Sequence, residues 1–292
     1  MANPSGLYLF SPNAPKGNQL FSLGDGNLGD VAITTNTSLN NFTPYMYRNL
    51  TINSAITVTQ DINPNPPGRG GRGSLIILVQ GTATITGSID LNGKGYSGSI
   101  ATINADGPGG GGGIGAGGET REGGGGGHAN AGATGSRYNT EGAYVGAGGT
   151  GGPAYGNEDL FPIYMGSGGG NGYNTADVFQ SGGAGGGAVI LVARKIVVTG
   201  TISCNGTRPN WPSAGGSGGS ILLIAPEVEL GSSLVTAIGA QGSHSGHGSV
   251  GRIRLDYATK SGTTNPTAHE HSGLRVGYLK QFSISAGFGQ VR

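Results

Sequence analysis

Glycine sets the limits on what this chain can become. It supplies 64 of the 292 residues. Glycine loses more backbone freedom on folding than any other residue and has no side chain to bury. A chain this rich in it therefore either stays unordered or adopts a geometry in which backbones pack closely and repetitively. The rest of the composition narrows the choice of partners. Charged residues make up 11% and the formal net charge is +1, so no long-range field gathers a polyanion and nucleic acid is not an expected partner. The Arg69-Gly70-Gly71-Arg72-Gly73 element follows Pro66-Pro67 and reads as a turn rather than an RNA-binding repeat. No apolar stretch approaches the roughly 20 residues of a membrane span, so membrane insertion is not expected, and no basic and apolar export signal opens the sequence. The single cysteine, Cys204, excludes an intramolecular disulfide and reads as a small buried hydrophobe.

A repeat organises the apolar residues. The run Ala188 to Ala193 (AVILVA) returns as Ser220 to Ala225 (SILLIA) and again, at the same spacing, as Arg252 to Tyr257 (RIRLDY), with an earlier copy at Ser74 to Val79 (SLIILV). All but the last are followed by a shorter unit made of an apolar residue, a corner of small or polar residues and an alternating strand. Aligning these units places Ile52, Ile85, Val198 and Leu230 in one column and Ile56, Ile89, Ile202 and Leu234 in a second. Such columns are what one coil laid on the next would bury, with strands about 4.8 Å apart. The expected fold is all-β: a right-handed parallel β-solenoid, the hand following from the strong preference of parallel crossovers.

The first strand of each coil is apolar on both faces, since Val189 and Leu191 alternate with Ile190 and Val192, and Ile221 and Leu223 with Leu222 and Ile224. One face fills the solenoid, and the other needs a cover. Either a neighbouring subunit in a symmetric trimer or the chain's own glycine-rich segment supplies it. In the last copy this face turns into Arg254 and Asp256, where the cover is expected to end.

Between Gly93 and Ala188 lies an insertion that holds more than half of the glycines. It reads either as a flexible loop or as extended helices of three residues per turn, packed in a polyglycine II-like manner through backbone hydrogen bonds. The aromatic residues scattered through it argue for order, because flexible linkers carry few. Tyrosine and tryptophan rings stack on sugars with little entropy cost, so Tyr138, Tyr144, Tyr155, Tyr164, Tyr173 and Trp211 are the candidate receptor contacts, with core packing as the competing role.

Catalytic patterns are weak. Glu158 and Asp159 are adjacent in a loop, and Glu227 and Glu229 share one strand face. Neither is the converging pair that glycosidic cleavage requires, and a non-enzymatic protein is expected. With glycine so abundant, G-x-G-x-x-G matches carry no weight outside a strand-to-helix context. His269-Glu270-His271, if extended, sets two imidazoles on one face, and His244 and His247 form a second close pair. Two ligands per chain are too few for a closed metal site, but three chains would supply six, so a transition metal bound by His269 and His271 on a trimer axis is the cofactor possibility. Exposed loop histidines are the alternative.

Two stretches carry a family resemblance. Gly24-Asp25-Gly26-Asn27-Leu28-Gly29-Asp30-Val31, followed by Tyr47-Arg48-Asn49-Leu50-Thr51-Ile52, resembles the opening of glycine-rich β-solenoid proteins of phage tail fibres and virion surfaces. The segments Ala188 to Gly206 and Ser220 to Gly239 resemble the coils of the same family. The glycine tracts are similar to those of tail-tip adhesins, and the His-x-His element to metal-binding spacings along fibre axes. The resemblance implies a structural virion protein that is assembled in a host cytoplasm, most naturally a short tail fibre or receptor-binding adhesin. A capsid decoration or head fibre is the nearest alternative, and a polysaccharide-cleaving tailspike enzyme a more distant one. Implied partners are other virion proteins, a host surface glycan or protein, and further copies of this chain. The expected organisation is an N-terminal virion-docking segment at 1–45, first coils at 46–93, the insertion at 94–187, coils with the regular repeat at 188–258, and a C-terminal strand segment at 259–292.

Overall fold

A computed structural model describes residues 21–40, 44–60, 73–100, 104–115, 117–176, 178–242, 246–274 and 279–280. Residues 1–20, which begin the expected docking segment, and Arg69 to Arg72 lie outside the described residues. The described chain is all-β, without a helix, and its two large sheets are parallel throughout. In the first sheet the strands Pro44–Tyr47, Ser74–Val79, Ala188–Val192, Ser220–Ile224, Arg252–Tyr257 and His269–Ser272 lie side by side in chain order. The second, ten-stranded sheet receives the chain after each of the first five of these strands or their immediate continuation, as at Asn49–Ile52, Thr82–Ile85, Lys195–Val198, Glu227–Thr236 and Thr259–Asn265. The chain thus alternates between two parallel sheets, and each round stacks on the previous one.

The register bears out the repeat. Leu191 pairs with Leu223 and Leu223 with Leu255, two equal steps along the chain, and Ala188 pairs with Ser74 across the whole insertion. Ile52, Ile85, Val198 and Leu230 form the first expected column. The second column differs from expectation. Ile89 and Ile202 are flanked by Val58 and Val235, while Ile56 and Leu234 are only partly buried beside the core. The corners at these two rounds are longer than the alignment allowed, and each turns on a non-glycine residue in the left-handed region, Ala55 with φ 62° and Ser233 with φ 55°. The extra corner residues shift which side chain falls inward.

The space between the sheets is filled by a continuous cluster that includes Leu50, Ile77, Ile85, Leu191, Val198, Leu223 and Leu255, all essentially without exposure. Burying each such side chain contributes about 2 kcal/mol. Cys204 is fully buried in this cluster, and desolvation pushes its thiol well above the ordinary range, so it is inert packing.

The outer face of the first sheet is covered by the chain itself. Ile76, Leu78, Ile190, Val192, Leu222 and Ile224 pack against Leu23 and against Leu160, with Phe161, Ile163, Met46 and Leu274 at the margins. Leu160 to Ile163 belong to the glycine-rich segment, so Ile190 and Leu222 have an intramolecular cover, the alternative to a neighbouring subunit. Nor does the cover end at the last copy. Arg254 and Asp256 continue the outer columns in register with Leu222 and Ile224 and are each only 4% exposed. They form a bidentate pair at 2.7 Å, the Arg254 guanidinium donates to the Asp159 carbonyl at 2.7 Å, and it lies 5.2 Å from the Phe161 ring. Burial of this pair is tolerated because the two charges satisfy one another and the remaining donors find oxygens.

The glycine segments are ordered by a distinctive hydrogen-bond rotation. From Ala214 to Gly219 successive amides donate to Gly170, Gly246, Thr207, Ser167, Ser249 and Cys204, which is three neighbouring segments visited twice in the same order. Gly124 to Gly127 behave likewise, donating to Gly112, Ala133, Gly215 and Gly109. A strand would alternate between two sides, whereas a period of three belongs to an extended threefold chain. The array is not confined to residues 94–187, because residues 204–219, 237–242 and 246–251 of the repeating rounds are part of it. A Cβ on Gly124 would collide with the Thr150 carbonyl, and one on Gly218 with that of Ala237, so close backbone approach is what requires glycine here.

Two outcomes follow. Leu223→Asp should yield insoluble or unfolded protein, because an unpaired carboxylate between Leu191 and Leu255 costs several kcal/mol; circular dichroism of the soluble fraction checks this. Gly124→Ala should lower the melting midpoint by several degrees, since the obstructing atom is backbone and cannot rotate away; a thermal melt with unchanged midpoint contradicts the close packing.

Candidate functional site

A small antiparallel sheet holds three of the six candidate aromatic residues, Tyr138, Tyr144 and Tyr173. Its strands run in the order Tyr144–Ala147, Ser136–Tyr138, Thr120–Arg121, Gly172–Tyr173 and Phe179–Gln180. Two hairpins supply the rings. In one, the Asn139 side chain accepts from the amides of Glu141 and Ala143, and Gly142 takes the left-handed conformation that the turn requires, with φ 81°. In the other, Asn174 accepts from the amides of Ala176 and Val178. These side-chain bonds fix both turns and with them the rings at their bases. Tyr138 and Tyr144 meet edge to face at 6.1 Å, and Tyr173 and Phe179 at 5.8 Å. Glu119 braces the sheet from beside it, at 2.7 Å from Arg137 and 3.6 Å from Arg121; these guanidinium partners hold its carboxyl below the usual range.

Trp211 arrives from the connection between two rounds and completes a pocket of about 310 Å³ with Thr120, Tyr138, Asn139, Thr140, Gly142 and Thr175. The neighbourhood is unusually apolar for a surface. Tyr144 is 65% exposed, Trp211 45%, and Val145 and Val178 are also exposed. Flat rings beside hydroxyl and amide groups match the alternation of apolar and polar faces on a sugar ring.

Tyr155 and Tyr164 lie elsewhere. They contact each other edge to face at 5.6 Å, and Tyr155 stacks on His128 at 4.8 Å. The Tyr155 hydroxyl donates to the Met165 carbonyl at 2.5 Å and accepts from Ser167 at 3.0 Å, and burial raises its pKa. Both rings are partly buried against the glycine array.

His128 is a functional-looking residue that the sequence did not single out. It is fully buried, its Nδ1 lies 2.7 Å from the Gly218 carbonyl, and its Nε2 has no hydrogen-bond partner. A carbonyl only accepts, so Nδ1 carries the proton and the ring is the neutral tautomer. Desolvation lowers its pKa from 6.5 to about 4. Its surroundings of glycine backbone and one stacked tyrosine offer nothing to react with, so it serves packing.

The histidine pair occupies the last strand of the first sheet. His269 and His271 stand in register with Arg254 and Asp256 and so extend the outer columns that begin with Ile190 and Val192. Their Nε2 atoms are 2.8 Å apart, and Asp159 approaches both. His247 accepts from the Gly242 amide through Nδ1 at 3.0 Å, while its proposed companion His244 lies outside the described residues.

Several of the acidic residues are paired with cations. Lys195 lies 2.8 Å from Glu227 and 2.6 Å from Glu229, which raises its own pKa and lowers that of Glu229. Glu270 is held below its usual range, first by Lys260 and then by the Tyr257 hydroxyl. Compared with protein-family models, with curated proteins and with solved structures, the chain matches none.

Acid should act on this fold through His128. At this group the unfolded chain takes up a proton below about pH 6.5 and the folded chain refuses it until about pH 4, so the contribution of His128 to stability falls as pH drops across that window and levels off beneath it. The full loss approaches about 3 kcal/mol. Thermal melts from pH 7 to 4.5 should show a falling midpoint, and His128→Phe should flatten that slope whatever its effect on the midpoint at pH 7.

Proposed function

We propose that this protein is a non-enzymatic virion surface protein of the short tail-fibre or adhesin kind, and that the antiparallel sheet with Trp211 is its receptor-contact surface, suited to a host glycan. The observation that carries the reading is the exposure of Tyr144, on a side-chain-braced hairpin, and of Trp211, with the partly buried Tyr138, Tyr173 and Phe179 on the same sheet. Exposed rings cost solvation in a free protein and repay it on binding, and prearranged loops lose little entropy when they engage. Within this reading the two parallel sheets are faces of one right-handed solenoid, and the threefold glycine segments are a polyglycine II-like array that holds the contact loops. The two stretches that resemble phage fibre proteins support the virion setting. The cation pairing of Glu119, Glu227, Glu229 and Glu270 favours binding over hydrolysis, since a catalytic pair needs carboxyls free to exchange protons.

The test is adsorption of the purified chain to host cells, with soluble surface polysaccharide as competitor. Tyr144→Ala and Trp211→Ala should each weaken binding about tenfold, as expected for a loss of between 1 and 2 kcal/mol at a hot spot. Tyr155→Phe should leave binding unchanged. If a Tyr138, Tyr144 and Trp211 triple-alanine variant that melts normally still adsorbs like the parent, a decoration role replaces the adhesin.

A further inference from the structure

We propose that His269, His271 and Asp159 of a single chain form a mononuclear site for a divalent transition metal of the zinc class, which staples the glycine-rich segment to the end of the first sheet. The inference is independent of the receptor-contact reading. It starts from register. The outer columns of the first sheet run Ile190, Leu222, Arg254, His269 and Val192, Ile224, Asp256, His271. Two residues apart on one strand, the imidazoles share a face, and the chain segment that covers this face delivers Asp159 to them.

The geometry suits a metal. The three ligand atoms are the Nε2 atoms of the two histidines and Oδ1 of Asp159, separated by 2.8, 3.6 and 3.8 Å. A triangle with these edges has a circumradius of about 2.0 Å, the length of zinc bonds to histidine nitrogen and carboxylate oxygen. One ion can therefore reach all three atoms with almost no movement of the protein. An ion at that distance lies in the plane of the three atoms; opening the shortest edge and drawing the Asp159 oxygen towards both nitrogens, each by a few tenths of an ångström, gives a tetrahedral arrangement with one position left for water. His269 also lines a pocket of about 310 Å³ together with Glu158, Arg252 and Thr267 among others.

The surrounding groups set the tautomers of the two rings. His269 Nδ1 lies 3.2 Å from a Glu158 carboxylate oxygen. Donation there places the ring's lone pair on Nε2, the arrangement that metal-binding histidines adopt. In the metal-free chain His271 Nδ1 accepts from the Arg254 guanidinium at 3.3 Å, which leaves the ring proton on Nε2. For Nε2 to bind metal that proton must shift to Nδ1, on the side of Asp256 Oδ1 at 3.9 Å. Charge also matches. With neutral imidazoles, the three carboxylates of Glu158, Asp159 and Asp256 outweigh the guanidiniums of Arg254 and of the neighbouring Arg252 by one unit, a local negative charge that favours a cation. Two nitrogen ligands select a borderline transition metal over calcium or magnesium. The three ligands are partly exposed, at 37%, 41% and 59%, so an ion can enter without unfolding.

The result of such a site is mechanical. Asp159 immediately precedes Leu160 and Phe161, which help cover Ile190 and Leu222. A bond from Asp159 through the ion to the last strand clamps that cover, and the folded state gains stability as the metal saturates it.

The experiment uses the full chain, stripped with chelator and dialysed against zinc alone, with bound metal and molecular mass measured together and thermal melts recorded with and without zinc. One zinc per chain is expected in a monomer, with a raised melting midpoint. His271→Ala and Asp159→Asn should each weaken binding at least tenfold and remove the zinc-dependent rise, while their metal-free melts stay near the parent's because these side chains are partly exposed. Lys195→Ala should bind as the parent does. Absence of zinc binding by the parent, or binding that survives Asp159→Asn, overturns the site. One zinc per three chains in a trimer also overturns it, in favour of an axial arrangement.

Discussion

The need of every buried backbone amide for a partner governs this structure. A chain with 64 glycines cannot build most of its interior from side chains, so backbone has to pack against backbone and every amide in that interior has to find a carbonyl. The threefold rotation seen from Ala214 to Gly219 meets this need, since each segment donates to three neighbours in turn. It also joins the two kinds of structure. Gly187 donates to Leu91 and Ala188 to Gly73, so the last turn of the glycine array runs directly into the ladder of the first sheet. The array and the stacked rounds share one hydrogen-bond system, and residues 204–219, 237–242 and 246–251 belong to both.

The second constraint is the double-sided strand. A sheet that is apolar on both faces needs two covers, and here one chain supplies them. The interior columns fill the space between sheets, and Leu160 to Ile163 lie over the other side. Where the columns change from Leu222 and Ile224 to Arg254 and Asp256, the cover changes with them: Phe161 faces the guanidinium and the Asp159 carbonyl accepts from it. The apolar contact therefore passes into a polar one without leaving a buried group unpaired. The loop that covers the sheet is also the loop that brings carboxylates to the histidines, so a packing requirement and a concentration of ligands share one segment.

Rigidity and exposure are divided between regions. Tyr155, Tyr164 and His128 consolidate the array, whereas Tyr138, Tyr144 and Trp211 stand at a surface that the same array supports. Binding surfaces gain from this division, because rings held by fixed turns present contact area at little entropic cost.

The sequence alone determined the vertical order of the fold. Apolar side chains that recur at a constant spacing must stack to be buried, so the pairing of Leu191 with Leu223 and Leu255 and the column from Ile52 to Leu230 could be read directly. The second column could not, because Ala55 and Ser233 in the left-handed region lengthen their corners, and no periodicity announces a non-glycine residue in that conformation. The aromatic candidates were legible as a set but not as two groups, since ring chemistry is identical in Tyr144 and Tyr155 and only their surroundings differ. His269 and His271 were legible as a pair on one face, because strand geometry is local. Their third neighbour was not: Asp159 lies far upstream in the chain, and only the folding of the glycine array back over the first sheet brings it there. Local periodicity is written in neighbouring residues, whereas the cover of the outer face depends on where a long stretch of closely packed backbone returns the chain.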